Sequence, residues 1–149
     1  MKLIPQSPKK ALKAFLKQKP LRSEFNLFKK NLIELLDTIE DIEKQPKDES
    51  EEHLKNNIRD FLLGAFYRDK NYVNTKERKD LVIHLENKQT SKVGVIIEAK
   101  RPSNKNEMLS AASPNKKALH ELILYYLDER NSKEGNFEMK QLVATNINE

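Results

Sequence analysis

The chain has 149 residues, 34% of them charged and 37% hydrophobic, with a formal net charge of +5 and no cysteine. A chain of this length builds about one domain with its own core, and the lack of cysteine excludes disulfides, thiolate catalysis and cysteine-ligated zinc. No apolar run approaches the ~18 residues that span a bilayer and no stretch has the three parts of a signal peptide, so no membrane partner and a cytoplasmic location are expected.

The charge is unevenly placed. Residues 1–30 hold nine Lys and Arg against a single acid, Glu24, while the other 119 residues carry a net negative charge of −3. A basic arm on a near-neutral body suits a polyanion such as nucleic acid. A solvated amphipathic helix is the plain alternative. The preference for Lys over Arg argues against an organellar presequence.

Residues 7–20 predict a short helix, with Ser7 as N-cap, Pro8 in the first helical position and Pro20 beyond the end. From Phe25, apolar residues at Phe28, Leu32, Leu35, Ile39 and Ile42 keep a helical period for about five turns. "KQPKDES" breaks that period, and Ser50 is placed to cap the next helix. Leu54, Ile58, Phe61, Leu62, Ala65 and Phe66 give this helix its apolar face. "YRDKNYVNTKERKD" reads as a connection. "LVIHLE" and "VGVIIEA" then predict two strands around "NKQTS", a five-residue hairpin loop. A polar loop follows, then an apolar helix in "KKALHELILYYLDER", a turn, and a last strand in "EMKQLVATN". The expected order is α-α-α-β-β-α-β, an α/β sheet flanked by helices. The apolar run Leu142-Val143-Ala144 lies close to Glu149, so a longer parent chain is expected.

The chemistry gathers at the end of the second strand. Alternation puts Val93, Val95 and Ile97 on one face and Gly94, Ile96, Glu98 and Lys100 on the other. A loop at residues 87–91 sets 86 opposite 92, and the same count sets Asp80 opposite Glu98. Opposed residues share a face with Cβ atoms about 4.5–5.5 Å apart. Two carboxylates so close repel unless a cation sits between them, and hard oxygen donors suit Mg²⁺, with the carbonyl of Ala99 as a further candidate ligand. Lys100 beside them could orient or deprotonate a water, or stabilise charge developing on a phosphate. A salt bridge at a strand end is the plain reading of Glu98 and Lys100. Glu51 precedes Leu54 by three and Ile58 by seven, on the inward side of its helix. It could join the metal site, position Lys100, or be a first-turn acid favoured by the helix dipole. His53, His84 and His120 have no zinc spacing. His84 reads as a core or edge histidine, Tyr125 as core and Tyr126 as surface.

Asp80 followed by Glu98-x-Lys100 at the end of an apolar strand resembles the PD-(D/E)xK nuclease superfamily, with Lys79-Asp80 standing where that pattern has Pro-Asp. The stretches "PLRSEFNLFKKNLIELLDTI", "ESEEHLKNNIRDFLLGAFY", "NTKERKDLVIH" and "VGVIIEAKRPSNKNEM" look like the N-terminal nuclease region of type IIG restriction–modification enzymes. The resemblance implies a restriction-endonuclease-like mixed sheet, with residues 1–46 a basic helical extension packing on a nuclease-like core at 47–149. It also implies Mg²⁺-dependent hydrolysis of double-stranded DNA, with Mn²⁺ able to substitute. Asp80 and Glu98 would be metal ligands, Lys100 the catalytic lysine and Glu51 a supporting helix acid. Related nucleases often present a Gln on the helix after the motif, and His120 stands near that place. The methyltransferase and target-recognition regions would lie in other sequence of the same polypeptide. With only three glycines here, the S-adenosylmethionine site would lie there too. A transient dimer would serve to cut both strands. A catalytically inactive DNA-binding or interdomain scaffold module of the same enzyme is the alternative, and an exposed apolar patch on the helix over 25–42 would favour a scaffold.

Overall fold

The computed structural model describes residues 4, 6–11, 19–44, 47–139 and 141–148. Three helices come first: α1 (Pro8–Ala11), α2 (Arg22–Lys44) and α3 (Lys47–Leu62), the last running into a π-helical turn at Leu63–Tyr67. They are followed by β1 (Val73–Lys76), β2 (Lys79–His84), β3 (Val93–Ala99), α4 (Lys117–Asn131) and β4 (Gln141–Thr145). The sheet has the order β1-β2-β3-β4. The first three strands are antiparallel and β4 is parallel to β3. A parallel neighbour needs a long crossover, and α4 with its flanking loops supplies it. The fold is therefore α/β, a four-stranded mixed sheet flanked by helices. Among the described residues no helix is long and apolar enough to cross a membrane.

Each face of the sheet has its own apolar cluster. On one, Leu35 and Ile42 of α2 and Leu54 and Ile58 of α3 meet Val73, Leu81, Ile83, Ile97 and Ala99. On the other, Leu122 and Tyr125 of α4 and Met139 meet Val82, Val93 and Ile96. Strand β2 is buried along its whole length, as a strand covered on both faces must be. Ile96 is fully buried beneath α4, so Ile96→Val should lower stability by about 1 kcal/mol in urea unfolding.

Several expectations need correction. Strand β1 falls in the stretch read as a connection. It is short and polar, and it turns into β2 through Glu77 at φ 56, without the glycine that marks such turns. Ser50 does not start α3, which already runs from Lys47. Glu51 and Glu52 therefore lie beyond the first turn. Val93 leaves the face of Val95 and Ile97, because the register shifts between Ile83↔Val95 and His84↔Val93. The extra residue is Gly94, a bulge, where a Cβ would come within 2.8 Å of the Leu85 side chain. On α2 the periodic positions are buried at Leu35 and Ile42, but Phe25 stays exposed and borders a cleft with Phe28 and Phe66. Of the first predicted helix, the structure describes Pro8–Ala11, with the Ser7 carbonyl accepting from the backbone of Lys10 and Ala11. Residues 12–18 lie outside the described residues.

Candidate functional site

The hairpin builds the site. Leu81 faces Ile97 and Val82 faces Ile96, and one further step of that register sets Asp80 opposite Glu98, as the sequence predicts. Asp80 Oδ2 accepts a hydrogen bond from the Ala99 backbone N–H at 2.9 Å, which ties its carboxylate to the end of β3. Lys100 follows directly, and its backbone N–H bonds the Thr145 carbonyl at 2.8 Å. The mixed sheet thus delivers Asp80, Glu98 and Lys100 to one end, and all three are buried.

The charges are tightly interlocked. Lys100 Nζ lies 2.6 Å from Glu98 Oε1, 2.9 Å from Glu121 Oε2 and 3.7 Å from Glu107 Oε2. Burial works against its charge, but the hydrogen bonds to Glu121 and Glu98 outweigh that and raise its pKa. Glu98 goes the other way for a carboxyl. Burial first, and then the charge of Asp80, push its pKa up to about 8, against the opposing pull of Lys100. Its Oε2 is buried with no hydrogen-bond partner. For Glu121, burial opposes ionisation, yet its hydrogen bond to Lys100 prevails and lowers its pKa. Tyr125, one turn along α4, is pushed up to about 12 by burial and by the nearby charges of Glu98 and Glu121.

Glu51 does not join this cluster by a direct contact. It is half-buried on α3, one turn before Lys55. It is Lys55 that reaches the site, with Nζ 2.7 Å from Asp80 Oδ1. Here too burial opposes the charge, and the bond to Asp80 wins and raises the lysine's pKa. His120, near the place where related nucleases present a Gln, does not reach the cluster. It is exposed and bonds Asn115 Oδ1 at 2.6 Å, while the next residue, Glu121, turns inward to Lys100. His84 is a core histidine, its ring nitrogens bonded to the Ser91 carbonyl and to Asn74. Tyr125 is core, and Tyr126 carries the Arg130 guanidinium over its ring at 5.2 Å.

The donor set suits a hard cation. Two carboxylates converge, each paired with an ammonium, Asp80 with Lys55 and Glu98 with Lys100; Glu98 keeps one buried oxygen without a partner, and the chain has no cysteine. Among the described residues no three of His, Cys, Asp and Glu stand ready to hold a metal. An ion here would take its remaining ligands from backbone, water or substrate, a coordination that Mg²⁺ accepts readily.

The model of one sequence family, described as a domain of unknown function (DUF7149), matches residues 6–149. No curated protein and no solved structure matches the chain.

Proposed function

We propose that this chain, which belongs to the DUF7149 family, is a Mg²⁺-dependent endonuclease domain that hydrolyses phosphodiester bonds of duplex DNA. The observation that carries the reading is the buried meeting of Asp80, Glu98 and Lys100 at the end of the hairpin, with Glu98 Oε2 left without a partner. The salt bridge to Lys100 engages Oε1 alone and leaves Oε2 available to an ion.

In this reading Asp80 and Glu98 hold the ion, which supplies Lewis-acid charge at the phosphate and lowers the pKa of water. Glu98 has to release its proton to serve as a ligand, because its carboxyl is held up to about 8 in the metal-free chain. Lys100 acts as a cation. Its three surrounding carboxylates hold its proton firmly, which disfavours a role as base and favours stabilisation of negative charge developing on the phosphate oxygens. Glu121 and Glu107 position the ammonium. A cleft of about 490 Å³, bordered by Lys105, Lys116 and Asn146, adjoins the segment after Lys100 and offers polar contacts to a phosphate backbone. Of the basic arm, Lys9, Lys10, Lys19, Arg22, Lys29 and Lys30 are exposed and add non-specific attraction to DNA.

The resemblance to the nuclease region of type IIG restriction–modification enzymes belongs to the same reading, with a restriction-endonuclease-like arrangement of the sheet. Methylation and target recognition would come from other sequence. Leu35 and Ile42 of α2 sink into the core beside α3, in keeping with an extension at 1–46 that packs on a core at 47–149.

A second reading is favoured by one observation. Leu21, Phe25, Ile33 and Leu36 on and beside α2 are exposed, as is Phe66, and Phe25, Phe28 and Phe66 border an apolar cleft of about 350 Å³. Such a surface suits an interdomain scaffold.

Calorimetric titration with Mn²⁺, with and without a DNA duplex, separates the two. The wild type should bind, and Asp80→Asn and Glu98→Gln should each abolish binding while circular dichroism shows the fold retained. A wild type that binds no ion under either condition would shift the conclusion to the inactive module.

A further inference from the structure

Both carboxylate oxygens of Asp80 are already engaged. Oδ2 accepts from the Ala99 backbone and Oδ1 meets Lys55 Nζ at 2.7 Å. Each oxygen keeps a further lone pair, but a divalent cation arriving at Asp80 would lie against the Lys55 ammonium, and the like charges repel. The Ala99 amide is fixed by a strand paired on both sides. Lys55 hangs from α3 on a flexible four-carbon stem. It is also the more open of the two lysines, its side chain 21% exposed against 6% for Lys100. Glu52 and Glu51 lie three and four positions earlier on the same helix, where side chains are neighbours, and their charges already bear on the lysine. An ammonium that leaves Asp80 therefore has a place to go without losing a carboxylate partner.

We propose that Lys55 is an exchangeable counter-ion guarding the cation site: a divalent ion enters at Asp80 as Lys55 swings back to Glu51 and Glu52. The inference rests on the reading of Asp80 and Glu98 as cation ligands. It makes Lys55 a positioning residue and gives Glu51 a task other than ligation. It also explains how a carboxylate pair can stay folded and buried before its ion arrives. Apparent affinity for the ion is reduced by the fraction of time that Asp80 is held by the lysine.

Lys55→Met keeps the stem and removes the competitor. In calorimetry it should bind Mn²⁺ about tenfold more tightly than the wild type, which corresponds to Lys55 holding Asp80 about nine-tenths of the time. Lys55→Arg, which keeps the charge, should bind no more tightly than the wild type. The double variant Glu51→Gln, Glu52→Gln should bind more weakly, because the displaced ammonium has lost its acceptors. A measurement on the wild type alone avoids any folding defect: acylation of the Lys55 amine, read by mass spectrometry, should rise when Mn²⁺ is added. Wild-type binding that Asp80→Asn abolishes, combined with a Lys55→Met affinity no better than wild type or with Lys55 acylation unchanged by Mn²⁺, would overturn the guard and leave the cation site standing. Absence of Mn²⁺ binding in both wild type and Lys55→Met would overturn the cation site and the guard with it.

Discussion

Lys100→Ala should lower the rate of DNA cleavage by about 10³-fold at saturating Mn²⁺, the usual cost of removing one preorganised charge from a reacting phosphate. Ion affinity is the control. Lys100 helps Glu98 to ionise, so its loss raises the Glu98 pKa further and weakens ion binding near neutral pH. Raising Mn²⁺ until each protein is saturated offsets that loss, because the ion competes with the proton for the carboxylate. The comparison belongs at saturation. Lys100→Arg should recover part of the rate, since it restores a cation among Glu98, Glu107 and Glu121. A base role predicts a different outcome. The rate would then climb steadily with pH as the lysine lost its proton, whereas a permanent cation gives a rate that rises until Glu98 is ionised and then levels off. Cleavage by Lys100→Ala within threefold of wild type would remove the lysine from the mechanism.

The end of the hairpin was legible because period-two alternation and one loop length place Asp80 against Glu98 before any tertiary contact is known. Two offsets cancel in that count: beside the loop the strands pair as His84 with Val93 and Leu85 with Lys92, one residue away from the expected 86 opposite 92, and the bulge at Gly94 restores the register before Asp80 is reached. The partners of the site were not legible in the same way. Lys55 sits in "EEHLKNNIRD", a polar helix surface where nothing local distinguishes an inward lysine from a solvated one. Its place next to Leu54, which is fully buried, was the available signal. Glu121 was hidden by the weak amphipathy of α4. Ile123, Leu124 and Leu127 are exposed while Ala118, Leu122 and Tyr125 are buried, so apolar residues lie on both sides of the helix. Periodicity then cannot decide whether His120 or Glu121 turns inward. Packing on Val82 and Ile96 decides it. Strand β1 escaped for the related reason that an edge strand needs few apolar residues, and its turn uses Glu77 at positive φ.

Glu98→Gln should stabilise the metal-free protein, and by more as the pH rises. The folded carboxyl titrates at about 8 against an ordinary value of 4.5, chiefly because it is buried and secondly because Asp80 is charged beside it. Below pH 4.5 the group is neutral in both folded and unfolded chains, and the substitution should change little. Between 4.5 and 8 the unfolded chain has released its proton while the folded chain still holds it. The folded state then binds more protons, so stability falls as pH rises, by at most about 1.4 kcal/mol per pH unit. The wild type therefore loses a few kcal/mol relative to Glu98→Gln across that window, and above it the difference is constant. The lowered pKa of Glu121 acts with the opposite sign and at more acid pH, and the raised pKa of Lys100 matters only in strong base, so neither imitates the effect. Urea unfolding of both proteins at several pH values gives the measurement, and a difference that does not change with pH would show that Glu98 is not held protonated by the fold. Mn²⁺ should reverse the ranking. An ion bound only by the folded wild type adds stability in proportion to the logarithm of its concentration, and Glu98→Gln, lacking the ligand, gains nothing. That reversal is the expected mark of an ion ligand, because a carboxyl serving the fold alone would not weaken the empty chain and then stabilise it only when Mn²⁺ is added.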